Sequence, residues 1–131
     1  MLKFSKKFDY GLIALKYIAS LEDGSVASAR EIAEIYYLPP VLLAKILQSL
    51  ARSRIIQSQS GSGGGYRMAK DPSDVTLKEI VESIEGSLHL VGCGKEDAAC
   101  SIEPHCTIKD TLLNIEKKIA SLFDTITLKD I

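Results

Sequence analysis

No stretch of this sequence approaches the roughly 18 to 20 consecutive apolar residues that a membrane-spanning helix requires, which excludes an integral helical membrane protein. Lys3, Lys6 and Lys7 ahead of an apolar stretch, with Ala27-Ser28-Ala29 beyond it, mimic a secretory signal, but Asp9 and Lys16 interrupt the apolar region. Cysteine is scarce, and its count of three is odd, which excludes a self-contained disulfide framework. A reducing, cytoplasmic setting without a membrane partner is the expectation. There is no internal repeat and no low-complexity segment apart from one glycine-rich turn. One further absence is local: between Glu34 and Asp71 there is no carboxylate, only Lys45, Arg52, Arg54, Arg67 and Lys70.

The composition that remains is that of one compact domain: 131 residues, 46% hydrophobic and 25% charged. Its net charge of -1 conceals a segregation. Residues 1–70 carry ten Lys/Arg against five Asp/Glu, net +5, and residues 71–131 carry six against twelve, net -6. Such asymmetry points to a polyanion at one end of the molecule.

Helical spacing of Phe8, Leu12, Leu15, Ile18 and Ala19 predicts an amphipathic helix over 4–21, closed by Glu22-Asp23-Gly24. Ser28 and Glu31 read as a capping box opening a short second helix that ends near Tyr36. Leu38-Pro39-Pro40 must break it, and Pro40 suits the first turn of a third helix. The product is a helix-turn-helix. In the third helix Leu43, Ile46, Leu47 and Leu50 face the core, while Val41, Ala44, Lys45, Gln48, Ser49 and Arg52 lie opposite. Amide and basic side chains there match base edges and phosphates in a major groove.

A short strand over 55–59, the turn Gly61-Ser62-Gly63-Gly64-Gly65 and a strand at Tyr66-Arg67-Met68 read as a hairpin. A phosphate-binding nucleotide loop needs Lys-Ser/Thr and a helix after its last glycine, and this sequence offers Tyr66 and a strand. The glycines suit instead a wing whose backbone approaches DNA closely. Thr76 and Glu79 form a second capping box, for a helix running to about Glu85. From Thr107 the stripe Ile108, Leu112, Ile115, Ile119 and Leu122 resembles one side of a coiled coil, to be covered by its own core or by a second subunit.

Residues 87–106 lack periodicity, and a stretch of that length in a small domain is usually functional or disordered; this one holds Cys93, Cys100 and Cys106. Thiolates are soft ligands for iron-sulfur clusters or zinc, although structural zinc favours closer pairs than these. His105 beside Cys106 raises thiol catalysis as a rival. Adjacent side chains seldom aim at each other and no oxyanion hole accompanies them, so an enzyme is not expected.

Phe8-Asp9-Tyr10-Gly11-Leu12, Leu43-Ala44-Lys45-Ile46-Leu47-Gln48, the wing Gly61-Ser62-Gly63-Gly64-Gly65-Tyr66 and the three-cysteine loop together resemble the Rrf2 family of bacterial regulators, over essentially the whole chain. The resemblance is to its iron-sulfur branch, with IscR-like and NsrR-like members. It implies a mainly α fold with a small β-hairpin wing, a winged helix-turn-helix followed by a long dimerisation helix, and one cluster, 2Fe-2S or 4Fe-4S, per subunit of a homodimer. Zinc is the alternative metal. IscR-like members place a histidine three residues after the last cysteine, and here that position is Lys109. NsrR-like members use a carboxylate from the partner's first helix, and Asp9 occupies the matching place. The resemblance therefore implies Asp9 as fourth ligand, with His105 next, then His89, Glu103 or a non-protein ligand.

The expected organisation is a DNA-binding unit over 1–75 and a cluster loop with dimerisation helices over 76–131, packed as one body. Double-stranded DNA with a pseudo-palindromic operator is the expected partner. Lys45, Gln48, Ser49 and Arg52 are expected in the major groove, and Gln57, Gln59, Ser60, Gly63, Gly64 and Arg67 near the backbone or minor groove. The function expected is that of a regulator, a repressor, sensing iron-sulfur status, redox stress or nitric oxide. Its rivals are a zinc-binding or cluster-free thiol regulator, and an electron-transfer or protein-docking module without DNA binding.

Overall fold

The computed structural model describes residues 3–94 and 99–131. Helix α1 spans Lys6–Ala19, α2 Ala29–Tyr36 and α3 Pro40–Arg52; strands β1 (Ile56–Gln59) and β2 (Gly65–Met68) follow, then α4 (Leu77–Glu85) and α5 (Lys109–Thr125). The fold is mainly α with a two-stranded hairpin, as the sequence implied.

Local chemistry sets the helix ends. Ser5 caps α1 by accepting from the Phe8 N–H at 3.4 Å, so the helix starts two residues later than periodicity alone suggests. At α2, Ser28 accepts from the Glu31 N–H at 3.0 Å. The Glu31 carboxylate does not complete the box; it accepts instead from the Tyr17 hydroxyl at 3.5 Å. Burial and that neighbouring carboxylate raise the Tyr17 phenol above its ordinary pKa. Thr76 and Glu79 form the full reciprocal box at α4, with Thr76 N–H donating to Glu79 at 2.9 Å and Glu79 N–H to Thr76 at 3.1 Å. Pro40 occupies the first turn of α3, where its missing N–H has no partner to lose. Helix α5 begins at Lys109 rather than Thr107, without a side-chain cap.

One core gathers residues from both ends of the chain, including Leu15, Ile32, Leu43, Leu47, Leu50, Ile55, Ile80 and Leu128. Leu128 is the member that periodicity did not announce. After α5 the chain turns back: Ile126 O accepts from Leu77 N–H at 2.7 Å, Leu128 N–H donates to Val75 O at 2.8 Å, and Thr127 bridges Thr76. Lys16 Nζ then donates to Ile131 O at 2.6 Å. At the other end, Phe4 stacks on Phe8 with ring centroids 4.2 Å apart and lies 6.0 Å from Phe123 of α5.

The hairpin is antiparallel with Ile56 opposite Met68, Gln57 opposite Arg67, Ser58 opposite Tyr66 and Gln59 opposite Gly65. Ile55 is buried just before β1; its carbonyl accepts from Ala69 N–H at 3.1 Å, closing the base of the hairpin. Ala27 adds a bridge to Tyr66, with N···O distances of 3.0 and 2.7 Å. That bridge demands glycine next door, because a Cβ on Gly65 would stand 2.6 Å from the Ala27 carbonyl. Ile108, just before α5, and Ile115 and Leu122 on it are exposed, whereas Phe123 packs against the core. No helix among the described residues is long and apolar enough to cross a membrane.

Candidate nucleic-acid interface and cysteine loop

Helix α3 divides into two faces. Leu43, Ile46, Leu47 and Leu50 are buried. On the other side Val41, Lys45, Gln48 and Arg52 recur at intervals of four, three and four residues, so they form one outward stripe, and all four are exposed. At 1.5 Å per residue the stripe runs about 16 Å. Its basic side chains have no carboxylate partner among the described residues; Arg52 Nε lies 3.5 Å from Gln48 O of its own helix. Ser49 lies at the margin of the stripe rather than within it. It is half-buried, its hydroxyl donates to Lys45 O at 3.2 Å and its carbonyl accepts from Ser83 of α4 at 3.1 Å.

The wing lies next in the chain. Gln57, Gln59, Ser60, Gly63 and Arg67 are exposed and Gly64 is half-buried. Gln57 and Arg67 face each other across the ladder. With the Gln57 amide oxygen toward the guanidinium, Arg67 Nε and Nη2 donate to it at 2.8 and 3.2 Å. The pair orients the guanidinium on the hairpin and leaves Nη1 for an outside acceptor. Gly63 takes φ 76°, a left-handed conformation that makes the tip turn. A Cβ at Gly64 would collide with the Gln59 carbonyl, so this glycine is first a requirement of the turn.

Three exposed side chains in or flanking α3 were not among the expected contacts. Tyr37, in the turn between α2 and α3, is 94% exposed and adopts φ 54°, ψ 43°. Val41 is 72% exposed. Arg54 follows α3 with φ 61° and is also exposed. The sequence signal for Val41 and Arg54 was present in the helix spacing and the charge pattern. For Tyr37 it was not, because its exposure depends on the left-handed cap of α2.

The cysteines sit in the segment between α4 and α5, of which 95–98 lie outside the described residues. Cys93, Cys100 and Cys106 are free thiols, each half-buried. Soft thiols in this number suit a cluster or zinc by donor chemistry. Their placement does not assemble a site: among the described residues no three His, Cys, Asp or Glu side chains are gathered closely enough to hold a metal ion. Lys109, at the position where an IscR-like histidine was sought, pairs with Glu103, and that hydrogen bond raises the lysine above its ordinary pKa, with Cys93 also contributing. His105 is exposed. Asp9 stands exposed on α1 with its carboxylate 3.7 Å from Lys6 Nζ.

The start of the loop is anchored to α5. Glu116 accepts from the Leu90 N–H at 2.9 Å, and its other oxygen lies 3.4 Å from His89 Nδ1. That second contact is too poorly aligned for a hydrogen bond, and the Nδ1 atom is buried without one.

A family model described as Rrf2, iron-dependent transcriptional regulator, matches residues 4–131. The structure of CymR (YrzC), the global cysteine regulator of B. subtilis, superposes with a TM-score of 0.74 at 27% identity, covering 99% of this chain and 95% of that one. T. potens IscR gives 0.71 at 29% identity, with 98% and 85% covered. The oxidised form of Staphylococcus aureus CymR gives 0.72 at 25% identity, with 98% and 94% covered.

Proposed function

Because this chain belongs to the Rrf2 family of DNA-binding transcriptional regulators, which are not enzymes, we propose that it works as a homodimeric repressor whose three cysteines hold an iron-sulfur cluster. The DNA-binding part is carried by the exposed Val41-Lys45-Gln48-Arg52 stripe beside the wing, on a segment free of carboxylates. A two-fold dimer presents two such stripes to a pseudo-palindrome, and their separation sets the fit to the half-sites.

The observation that supports the cluster is the concentration of every cysteine of the chain, free and half-buried, in the long connection between α4 and α5. The exposed Ile108 at the start of α5 and Ile115 and Leu122 on it support the dimer, because an apolar stripe of coiled-coil spacing is otherwise left in water. Cys93, Cys100 and Cys106 would bind the cluster, and Asp9 from the second subunit is the proposed fourth ligand. Such a cluster, when bound by these thiols, would supply a centre that oxidants or nitric oxide can alter. What the chain's own residues do is couple the loop to α5: Glu116 holds Leu90, and Glu103 holds Lys109 at the first turn of the helix. A change in the loop therefore bears directly on the proposed dimer helix, and thus on the spacing of the two recognition helices. A signal shifts that equilibrium only as far as it favours one spacing over the other.

The ungathered arrangement of the thiols favours a second reading, a cluster-free thiol regulator in which oxidation joins two of the cysteines. Oxygen-free purification followed by a visible spectrum with iron, sulfide and zinc counts separates the readings. Iron and sulfide that disappear in Cys→Ser variants support the cluster; a colourless protein with neither, whose DNA affinity changes on disulfide formation, supports the second. Parallel measurement on Asp9→Ala and His105→Ala identifies the fourth ligand.

A further inference from the structure

The outward stripe of α3 changes chemistry along its length. Lys45, Gln48 and Arg52 can hydrogen-bond, but the first turn, Pro40-Val41-Leu42, carries no polar side chain, and Pro39 and Pro40 have no backbone N–H. Val41 heads the stripe at 72% exposure on a helix whose Leu43, Ile46, Leu47 and Leu50 are buried. Just upstream, Tyr37 is 94% exposed in the left-handed conformation that glycine or asparagine normally takes. Neither side chain is covered by the fold. An exposed valine in a helix and a tyrosine at positive φ are both unfavourable choices where alanine and glycine would stand as well or better.

Their surroundings indicate what covers them. From Ile35 to Lys70 there is no carboxylate, and Lys45 and Arg52 lie on the same stripe, so the complementary surface is anionic. The N-terminal end of a recognition helix is the part that approaches base edges. A branched aliphatic side chain there has one suitable partner on those edges, the 5-methyl group of thymine. We infer that Val41 is a specificity-determining residue that packs against a thymine methyl in each half-site, with Tyr37 directed beside it toward the adjoining backbone. The inference rests on the DNA-binding reading and adds to it the base that the apolar turn selects.

The test uses the full chain and a pool of randomised duplexes, from which a preferred sequence is selected. That duplex is then remade with deoxyuridine replacing thymine at one position of each half-site at a time, a change that removes only the methyl group. Affinities are read by fluorescence anisotropy. At one symmetric pair of thymines the replacement is expected to weaken binding about fourfold per half-site, the factor that corresponds to one buried methyl-sized group. Val41→Ala should bind the thymine duplex more weakly by a similar factor and no longer distinguish thymine from deoxyuridine there. Tyr37→Gly should lower affinity for every sequence without lowering the melting temperature, because it relieves the left-handed residue. The inference is overturned if no thymine shows the effect, or if Val41→Ala discriminates as the unaltered chain does. Failure to select any sequence from the pool would overturn the DNA-binding reading itself, and this inference with it.

Discussion

The ionic-strength dependence of DNA binding tests the interface most stringently. Between Glu34 and Asp71 the chain places Lys45, Arg52, Arg54, Arg67 and Lys70. Lys70 is withdrawn from the count, since its Nζ lies 2.5 Å from Glu79. Four cations per chain remain, or eight in the proposed dimer. If each neutralises one phosphate, log K falls against log salt with a slope of about -7, because each contact contributes about -0.9. Between about 50 and 200 mM salt the affinity should then fall by about four decades. Arg52→Ala and Arg67→Ala each remove two contacts from the dimer and should flatten the slope to about -5. Anisotropy titrations of a selected duplex across that salt range measure it directly. A parent slope shallower than about -3, or one that neither substitution changes, would refute the assignment of this face to the phosphate backbone.

Further outcomes follow from the packing. Gly65→Ala forces a Cβ to within 2.6 Å of the Ala27 carbonyl and should destabilise the chain by about 1–3 kcal/mol, seen as a lower urea midpoint; an unchanged midpoint would mean that the Ala27–Tyr66 bridge is dispensable. Leu128→Ala empties a fully buried site and should cost about 2–5 kcal/mol, whereas an exposed-site loss below about 0.5 kcal/mol would show that the C-terminal return does not hold in solution. Acid should weaken the fold. Burial alone would raise Glu79, but Lys70 and Thr76 outweigh it and lower its pKa from 4.5, and hydrogen bonds from Ser73 and Thr127 lower Asp71 and Asp130 from 3.8. Groups depressed in the folded state contribute stability above those ordinary values and lose it as pH falls through the folded ones. The melting temperature should accordingly decline as pH drops below about 4.5, and less steeply in Glu79→Gln; a rise on acidification would contradict the sign.

Which features were legible depended on the range of the interactions that produce them. The Thr76–Glu79 box closes within four residues and formed in full, while Ser28–Glu31, with the same spacing, formed only in half. The difference is Tyr17, fourteen residues away in sequence, which takes the Glu31 carboxylate for itself. Ser49 carried the expected hydroxyl on the expected face, yet α4 packs close enough for Ser83 to reach its carbonyl. The cysteines were found by residue type alone, and their spacing said nothing about whether three sulfurs meet.

By itself the sequence determined the helix-turn-helix, the wing and the basic, carboxylate-free face, because each follows from local propensity, side-chain periodicity or a count of charges. Only the tertiary structure decided that Leu128 returns to the core, that Gly65 is required by Ala27, that Arg67 is oriented by Gln57, and that Tyr37 stands uncovered. Those properties belong to pairs of residues brought together, or kept apart, by packing of the whole chain, and no one segment contains the information that fixes them.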